Sequence, residues 1–245
     1  LLGFAVPVCL SLYLVRKHHA RFSTILTGAG VFILFALVLE SIMHQLVLKG
    51  PHGASILGNT LLYAAYGGLA AGVFEETGRF VAMKFLMKKE PSTALPGIAY
   101  GAGHGGAEML IIFGVTMVSN LAMAFLINSG QSNALIAQVP VDAAAQVQAQ
   151  FDTLQTTSVG TWLIGLWERF SALVLQLGLS VLVWAAVRKG GKWLWLFPAA
   201  ILLHALVDAG AVLLQKSAGM VALELIVMSE AVAVGAVAWM GAKKM

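Results

Sequence analysis

Long runs of apolar residues alternate with short polar connections along nearly the whole chain. Most of these runs reach the roughly 20 residues that a helix needs to cross the hydrocarbon core of a bilayer. The pattern therefore predicts an all-α, polytopic transmembrane helical bundle of about seven spans, forming a single transmembrane domain over residues 1–245. The segments run approximately over residues 1–15, 22–48, 56–87, 95–127, 161–187, 193–214 and 219–240.

The third and fourth segments are longer than one crossing requires. Both contain glycine clusters, Gly67-Gly68 in the third and Gly101-Ala102-Gly103 in the fourth. Extra length is accommodated by tilt or by a kink, and glycine lowers the cost of an irregular turn. We therefore expect a tilted, kinked or broken helix in each.

The overall composition supports lipid as the solvent of this chain. It is 59% hydrophobic and 11% charged, whereas soluble domains carry roughly 25% charged residues. The net charge is only +4, and the basic residues stand in short clusters between apolar runs. Such clusters indicate membrane topology and argue against a nucleic-acid partner.

Basic residues mark every second connection between the segments. Because cytoplasmic loops carry the excess of Lys and Arg, this alternation predicts an N-terminus outside and a C-terminus inside (N-out/C-in). The basic positions on the predicted inner side are Arg16, Lys17, Arg21, Lys84, Lys88, Lys89, Arg188, Lys189, Lys192, Lys243 and Lys244.

One connection, residues 128–160, is much longer than the others. It is rich in Gln, Ala and Thr, with apolar residues scattered through it. The pattern is compatible with a short amphipathic helix at the outer membrane interface, and equally with a solvated loop. In both cases we expect an extracytoplasmic loop.

Several apolar segments carry polar side chains at a similar depth. A charged residue at mid-membrane costs about 2.5–3.5 kcal/mol on insertion scales, so we expect it to have a structural or functional role. Counted from the cytoplasmic ends at about 1.5 Å per residue, these groups lie about 14 to 20 Å deep. Glu108 and Asp208 follow one helical turn further out. The residues at the shared depth are Glu75, Glu76, His104, Gln176, His204 and Glu230.

Each of these residues also has a structural interpretation. Glu75 and Glu76 lie three and four residues before Arg79, so they could form a buried ion pair. His104 could bond a backbone carbonyl across a close helix contact, and His204 could pair with Asp208. Structural contacts are also the simpler interpretation of Glu230, Glu168-Arg169 and Glu40 with His44. The shared depth is what favours a functional site.

Three short motifs resemble those of a known superfamily of intramembrane peptidases. Glu75-Glu76-Thr77-Gly78-Arg79, Tyr100-Gly101-Ala102-Gly103-His104 and His204-Ala205-Leu206-Val207-Asp208 resemble, in order, the motifs of the CAAX-protease and bacteriocin-processing superfamily. The chain looks most like its YhfC-type branch, which is related to the scaffold subunit of γ-secretase. The first motif is one residue shorter than in the prenyl-protein peptidases, and Gln176 stands where relatives often have histidine.

The residue types suit peptide hydrolysis by an intramembrane endopeptidase acting on membrane-associated peptides or proteins. Either Glu75 or Glu76 could take a proton from a water that His104 also holds, while Arg79 keeps the other glutamate ionised. His204, oriented by Asp208, could donate to the oxyanion. The resemblance implies that Glu75 is the base. Secondary candidates are Glu108, Gln176 and Glu230, and we expect the site to line a cavity open to the cytoplasm.

Two alternatives remain open at this point. Glu75, His104 and His204 could form a catalytic zinc site, although we favour a mechanism without a metal. The protein could instead be a non-catalytic scaffold that binds transmembrane helices. Less compatible is a proton or solute conduit, because the inverted repeats typical of transporters are not visible in the sequence.

Overall fold

The computed structural model describes residues 1–243 and 245, and Lys244 of the predicted inner-side residues lies outside them. The all-α prediction is confirmed, since every regular element in the described residues is helical. A short 3₁₀ turn, Gly191–Trp195, precedes the ninth helix. The helices are α1 (Leu2–His18), α2 (Phe22–Leu48), α3 (Gly53–Gly58), α4 (Thr60–Phe85), α5 (Leu95–Asn128), α6 (Ser132–Ile136), α7 (Val141–Thr156), α8 (Val159–Lys189), α9 (Leu196–Leu214) and α10 (Met220–Ala242).

Within the described residues, five stretches are long and apolar enough to cross a membrane: α2, α5, α8, α9 with its preceding turn, and α10. The two other predicted spans are α1, which has 17 residues, and α4, which has 26 residues. The first is slightly short for a crossing, and the second carries Glu75, Glu76 and Arg79 in its apolar run. The polytopic architecture is therefore supported, while the seven-span count and the orientation stay predictions.

The distribution of side chains is the reverse of that in a soluble protein. Glu76, Arg79 and His104 are fully buried, whereas Leu46 and Leu121 are each 72% exposed. In water, large apolar side chains would be covered and charged groups would face solvent. Lipid around the bundle accounts for both observations.

Glycines allow the helices that carry the polar residues to approach closely. A Cβ atom at Gly68 of α4 would lie 2.4 Å from the Ala205 carbonyl oxygen of α9. A Cβ atom at Gly103 of α5 would lie 1.8 Å from the Ile25 carbonyl oxygen of α2. Small residues at such crossings bring helix backbones together in membranes. Two residues of the candidate site are adjacent to these contacts, since His104 follows Gly103 and His204 precedes Ala205, and Glu75 lies two turns after Gly68.

The irregular turns do not occur at the glycine clusters. Both α4 and α5 continue as helices through Gly67-Gly68 and through residues 101–103. Wider turns with hydrogen bonds between residues five apart occur instead at Phe32–Glu40 in α2 and at Met109–Val115 in α5. Such turns are frequent at functional sites, and the second begins directly after Glu108.

The long connection contains two helices, α6 and α7. Of these, α7 spans 16 residues, and its Phe151 is 1% exposed. A helix is therefore present where the amphipathic pattern indicated one. The side of the membrane on which it lies stays a prediction.

Candidate functional site

Four helices bring the predicted polar residues into one connected group. Helix α4 contributes three charged side chains, and one polar side chain comes from each of α5, α8 and α9. All six are at most 7% exposed. They are Glu75, Glu76, Arg79, His104, Gln176 and His204.

Glu76 lies in an ion-pair cluster with Arg79 and His204. We call it the sealed ion-pair cluster because Glu76 and Arg79 are 0% exposed, although His204 also borders the cavity described below. The Arg79 Nη1 atom donates to both Glu76 carboxylate oxygens, at 2.5 and 2.6 Å. The His204 Nδ1 atom lies 2.9 Å from Glu76 Oε1. Glu76 and Arg79 are 0% exposed, so this carboxylate is neutralised and held without contact with solvent.

Glu75 is held differently, although it is the adjacent residue. Its Oε2 atom lies 2.8 Å from His104 Nε2 and accepts a hydrogen bond of 2.9 Å from Gln176 Nε2. Both contacts fall on the same oxygen. Oε1 has no hydrogen bond to any residue in the described part of the chain. Glu75 thus has one oxygen fixed and one available.

Gln176 connects these two environments. Its amide oxygen accepts a hydrogen bond from Arg79 Nη2. Its amide nitrogen donates to Glu75 Oε2 and, at 3.1 Å, to Glu108 Oε2. A Cβ atom at Gly105 would lie 2.9 Å from the Gln176 Cβ, so the glycine of α5 allows α8 to come close enough for these bonds.

A cavity of about 730 Å³ adjoins the group. Glu75, His204 and Asp208 line it, together with Gln176 and Glu108. Glu76 and His104 are not among its lining residues in the described chain; they lie behind Glu75 and His204. The two glutamates of the motif therefore differ in their access to the cavity.

The cavity extends towards the end of the bundle that lacks the basic clusters. Its lining includes Thr161 near the start of α8, Gln215 just after α9 and Met220 at the start of α10. Gln215 and Met220 are exposed, so the cavity reaches the surface there. The sequence predicted an opening at the basic end of the bundle, whereas the opening lies at the opposite end; which end faces the cytoplasm stays a prediction. The depth count could not detect this, because depth alone does not indicate which half of a bundle is filled.

Two other expectations also need correction. The Asp208 Oδ2 atom lies 3.6 Å from His204 Nε2, and the closer partner of the ring is Glu76. Asp208 therefore lies beside His204 in the cavity but does not hold it alone. Glu230 lies on α10, partly exposed, outside the hydrogen-bonded group and the cavity.

Three further charged residues line the cavity: Glu168 and Arg169, which the sequence analysis interpreted as structural, and Glu224, which it did not identify. Arg169 Nη1 donates to Glu108 Oε1 at 3.2 Å, and its Nη2 bonds Glu168. Arg169 lies seven residues before Gln176, which is two helical turns on the same face. That spacing is the signal that could have identified it.

The candidate zinc ligands are not arranged around a common centre. His104 directs Nε2 at Glu75, and His204 directs Nδ1 at Glu76. Within residues 1–243 and 245, no group of three or more His, Cys, Asp or Glu side chains has the geometry to hold a metal ion. As placed, the residues do not fit zinc, and the steps proposed below use the side chains of the chain itself.

Comparisons with known proteins show similarity to the members of one family. Residues 2–241 match the family described as YhfC intramembrane metalloprotease. The chain is also 38% identical over 216 residues to the uncharacterized membrane protein YhfC of Bacillus subtilis (strain 168), covering 88% of this chain and 82% of that protein. No solved structure matches it.

These matches bear on the predictions to different extents. They support a membrane-embedded protease family, and the family's description agrees with the metal-dependent alternative rather than with the favoured metal-free one. The relationship to the wider CAAX-protease superfamily and to γ-secretase stays a prediction. Since the match spans almost the entire sequence, the chain belongs to the YhfC intramembrane metalloprotease family.

Proposed function

We propose that this protein is an intramembrane endopeptidase that hydrolyses peptide bonds of membrane-associated peptides or proteins, with Glu75 as the base that activates water. The observation that carries the proposal is the position of Glu75. It is the one glutamate of the pair that lines the cavity, and its Oε2 is held by His104 and Gln176. Oε1 then points to the reactants.

The first step needs a proton acceptor next to a water molecule. Glu75 lines the cavity, and its Oε1 makes no hydrogen bond in the described part of the chain, so a cavity water can reach a carboxylate oxygen there. A cavity water donates its proton to Glu75 as its oxygen attacks the peptide carbonyl carbon. The same proton then passes from Glu75 to the leaving amine, so the residue returns to its starting state.

The developing oxyanion needs a hydrogen-bond donor. His204 lines the same cavity, and its Nδ1 atom is engaged by Glu76 at 2.9 Å. That contact leaves Nε2 directed to the cavity, where it donates to the oxyanion. Glu76 and Asp208 supply the negative charge that balances the protonated ring.

The other polar residues act by positioning. His104 and Gln176 hold the Glu75 carboxylate, while Arg79 keeps Glu76 ionised and in place to orient His204. A base and an oxyanion donor held by separate partners keep their geometry before substrate arrives. This arrangement supports preorganised catalysis.

Zinc is the alternative form of the same reaction, and the family's description favours it. Glu75, His104 and His204 would then be the ligands, and the metal would polarise the carbonyl and activate the water. Their side chains would have to leave the partners described above. Metal removal therefore separates the two forms.

The test is hydrolysis of a library of membrane-anchored peptides by the purified protein in lipid nanodiscs. Glu75→Gln keeps the shape of the side chain and removes the proton acceptor. We expect kcat/KM to fall by about 10²–10⁴-fold, with unchanged thermal stability. Asp142→Asn, an exposed position on α7, is the matched loss of a carboxylate and should retain activity.

Two results would contradict the proposal. Cleavage that persists in the Glu75→Gln variant would exclude this residue as the base. Absence of Glu75-dependent cleavage for every peptide of a broad library would favour the scaffold alternative, in which the small residues at the helix crossings bind transmembrane helices.

A further inference from the structure

The cavity is strongly acidic, both beside the proposed reaction centre and in its outer part. Its lining includes five carboxylate side chains and one arginine. Arg169 pairs with Glu108 and with Glu168, so this single cation is shared. The carboxylates are Glu75, Glu108, Glu168, Asp208 and Glu224.

Glu224 differs from the others because no hydrogen bond or ion pair links it to another described residue. It is 8% exposed, and its Oε2 atom is buried without a hydrogen bond to any residue in the described chain. A carboxylate that is removed from water and left unpaired is costly, so such groups are retained where something pairs with them. Glu224 lines the cavity, which is where such a partner can arrive.

The level of Glu224 in the bundle can be estimated from the crossing of α8 and α10. A Cβ atom at Gly178 would lie 3.0 Å from the Gly235 backbone nitrogen, which marks that crossing. Counted from there at about 1.5 Å per residue, Glu168 lies about 15 Å away and Glu224 about 16 Å away. The two carboxylates are therefore at nearly the same level.

The same count relates Glu224 to the reaction centre. Gln176, which holds Glu75, is two residues from Gly178 on the mouth side, so Glu224 lies about 13 Å further towards the mouth. An extended peptide covers about 3.3–3.6 Å per residue, so this distance corresponds to about four residues. The walls between also carry apolar side chains, among them Ala172, Val212 and Val227.

We propose that the Glu224 side of the cavity is a subsite for a cationic side chain of the substrate, with an aliphatic stem as in lysine or arginine, about four residues from the scissile bond. The apolar walls contact the stem, and Glu224 pairs with the charged end. The subsite rests on the proposed peptidase function. It makes a positive charge on the mouth side of the cleavage site a determinant of specificity.

The test compares anchored peptides that differ only at the third, fourth or fifth residue on the mouth side of the cleaved bond, carrying Lys, Gln or Glu there. We expect kcat/KM for the Lys peptide to exceed that of the Gln peptide by about 10- to 100-fold, because the charge pair is desolvated. Glu224→Gln should abolish the preference, and Glu224→Lys should shift it to the Glu peptide. Asp142→Asn should keep the preference of the parent.

Binding of the same peptides to the Glu75→Gln variant, measured by fluorescence polarisation, separates the two proposals. Cleavage with no preference for charge overturns the subsite and leaves the peptidase function intact. Binding that depends on Glu224 and on the Lys residue, without cleavage by the parent, supports the subsite and contradicts the peptidase. Absence of charge-dependent binding and of cleavage contradicts both. A Lys preference that survives Glu224→Gln and Glu224→Lys contradicts the subsite alone.

Discussion

Glu75 and Glu76 are neighbours in the sequence but lie in two different regions of the molecule. Glu76 is 0% exposed and belongs to the sealed ion-pair cluster with Arg79 and His204. Glu75 is 7% exposed and borders a cavity of about 730 Å³. One carboxylate has all its interactions supplied by the protein, whereas the other keeps an oxygen free.

The difference follows from helix geometry. Successive residues of an α-helix point about 100° apart, so one turns towards α9 and the other towards α5 and α8. A pair of adjacent acids thus supplies a fixed counter-charge and an accessible reactive group from a single turn. The comparison indicates that damage to the two regions should have different consequences, in stability for one and in turnover for the other.

The largest change in stability should come from the sealed region. Arg79→Ala removes the arginine partner of Glu76 and a donor to Gln176, and it leaves the buried Glu76 carboxylate with the His204 ring alone. We expect a loss of about 3–5 kcal/mol in the free energy of unfolding, with activity lost as well. Lys88→Ala, at an exposed position after the same helix, should change stability by less than about 0.5 kcal/mol. If Arg79→Ala and Lys88→Ala unfold at the same temperature, the sealed ion-pair cluster does not contribute the expected stability.

A smaller effect should come from the contact that closes the sealed region. Gly68→Ala places a Cβ atom 2.4 Å from the Ala205 carbonyl oxygen, so α4 and α9 must move apart. We expect a loss of about 1–3 kcal/mol. Gly67→Ala is the control next to it, since a Cβ atom there meets nothing within 4 Å. If thermal unfolding shows the same loss of stability for Gly68→Ala and Gly67→Ala, the close approach of α4 and α9 does not stabilise the cluster.

The accessibility of the cavity region can be measured without unfolding the protein. In a Cys9→Ser background, an impermeant thiol reagent should label Ser132→Cys and Gln215→Cys from outside and Gly190→Cys only from inside. The alternation of basic clusters predicts this N-out/C-in pattern. Gln215 lies at the cavity mouth, so labelling of that position from inside would place the entrance on the cytoplasmic side.

Metal removal should have the smallest effect if Glu75 acts on its own. Elemental analysis of active protein should then show no stoichiometric zinc, and chelators should leave hydrolysis unchanged. Loss of activity on chelation with recovery on zinc addition would establish the metal-dependent form. The distinction between the sealed ion-pair cluster and the cavity region would then no longer hold, because His204 and Glu75 would bind the same ion.

Much of the architecture could be predicted from the sequence. The apolar runs predicted the positions of the helices, since crossing a bilayer requires length and apolarity that are directly visible. The common depth predicted that Glu75, His104 and His204 would come together. Length, apolarity and depth can all be counted along the sequence, and packing of the helices does not change them.

Properties that depend on helix rotation and packing were not predictable in this way. Which glutamate faces the cavity depends on a rotation of α4 set by glycine contacts with α9. Glu224 is the fifth residue of α10, and a charge near a helix end needs no special explanation. The cavity depends on which half of the bundle is filled, and periodicity carries no information about that.

The spacing of partners along the chain has a consequence for the order in which the protein is made. Glu76 and Arg79 are three residues apart, but Gln176 follows Arg79 by 97 residues and His204 follows Glu76 by 128 residues. Helix α4 therefore leaves the ribosome before most of its partners exist. During that interval the ion pair within α4 lowers the free-energy cost of placing its charged side chains in the membrane. Arg79 therefore first neutralises Glu76 within α4. It bonds Gln176 in the finished site only after α8 has been made.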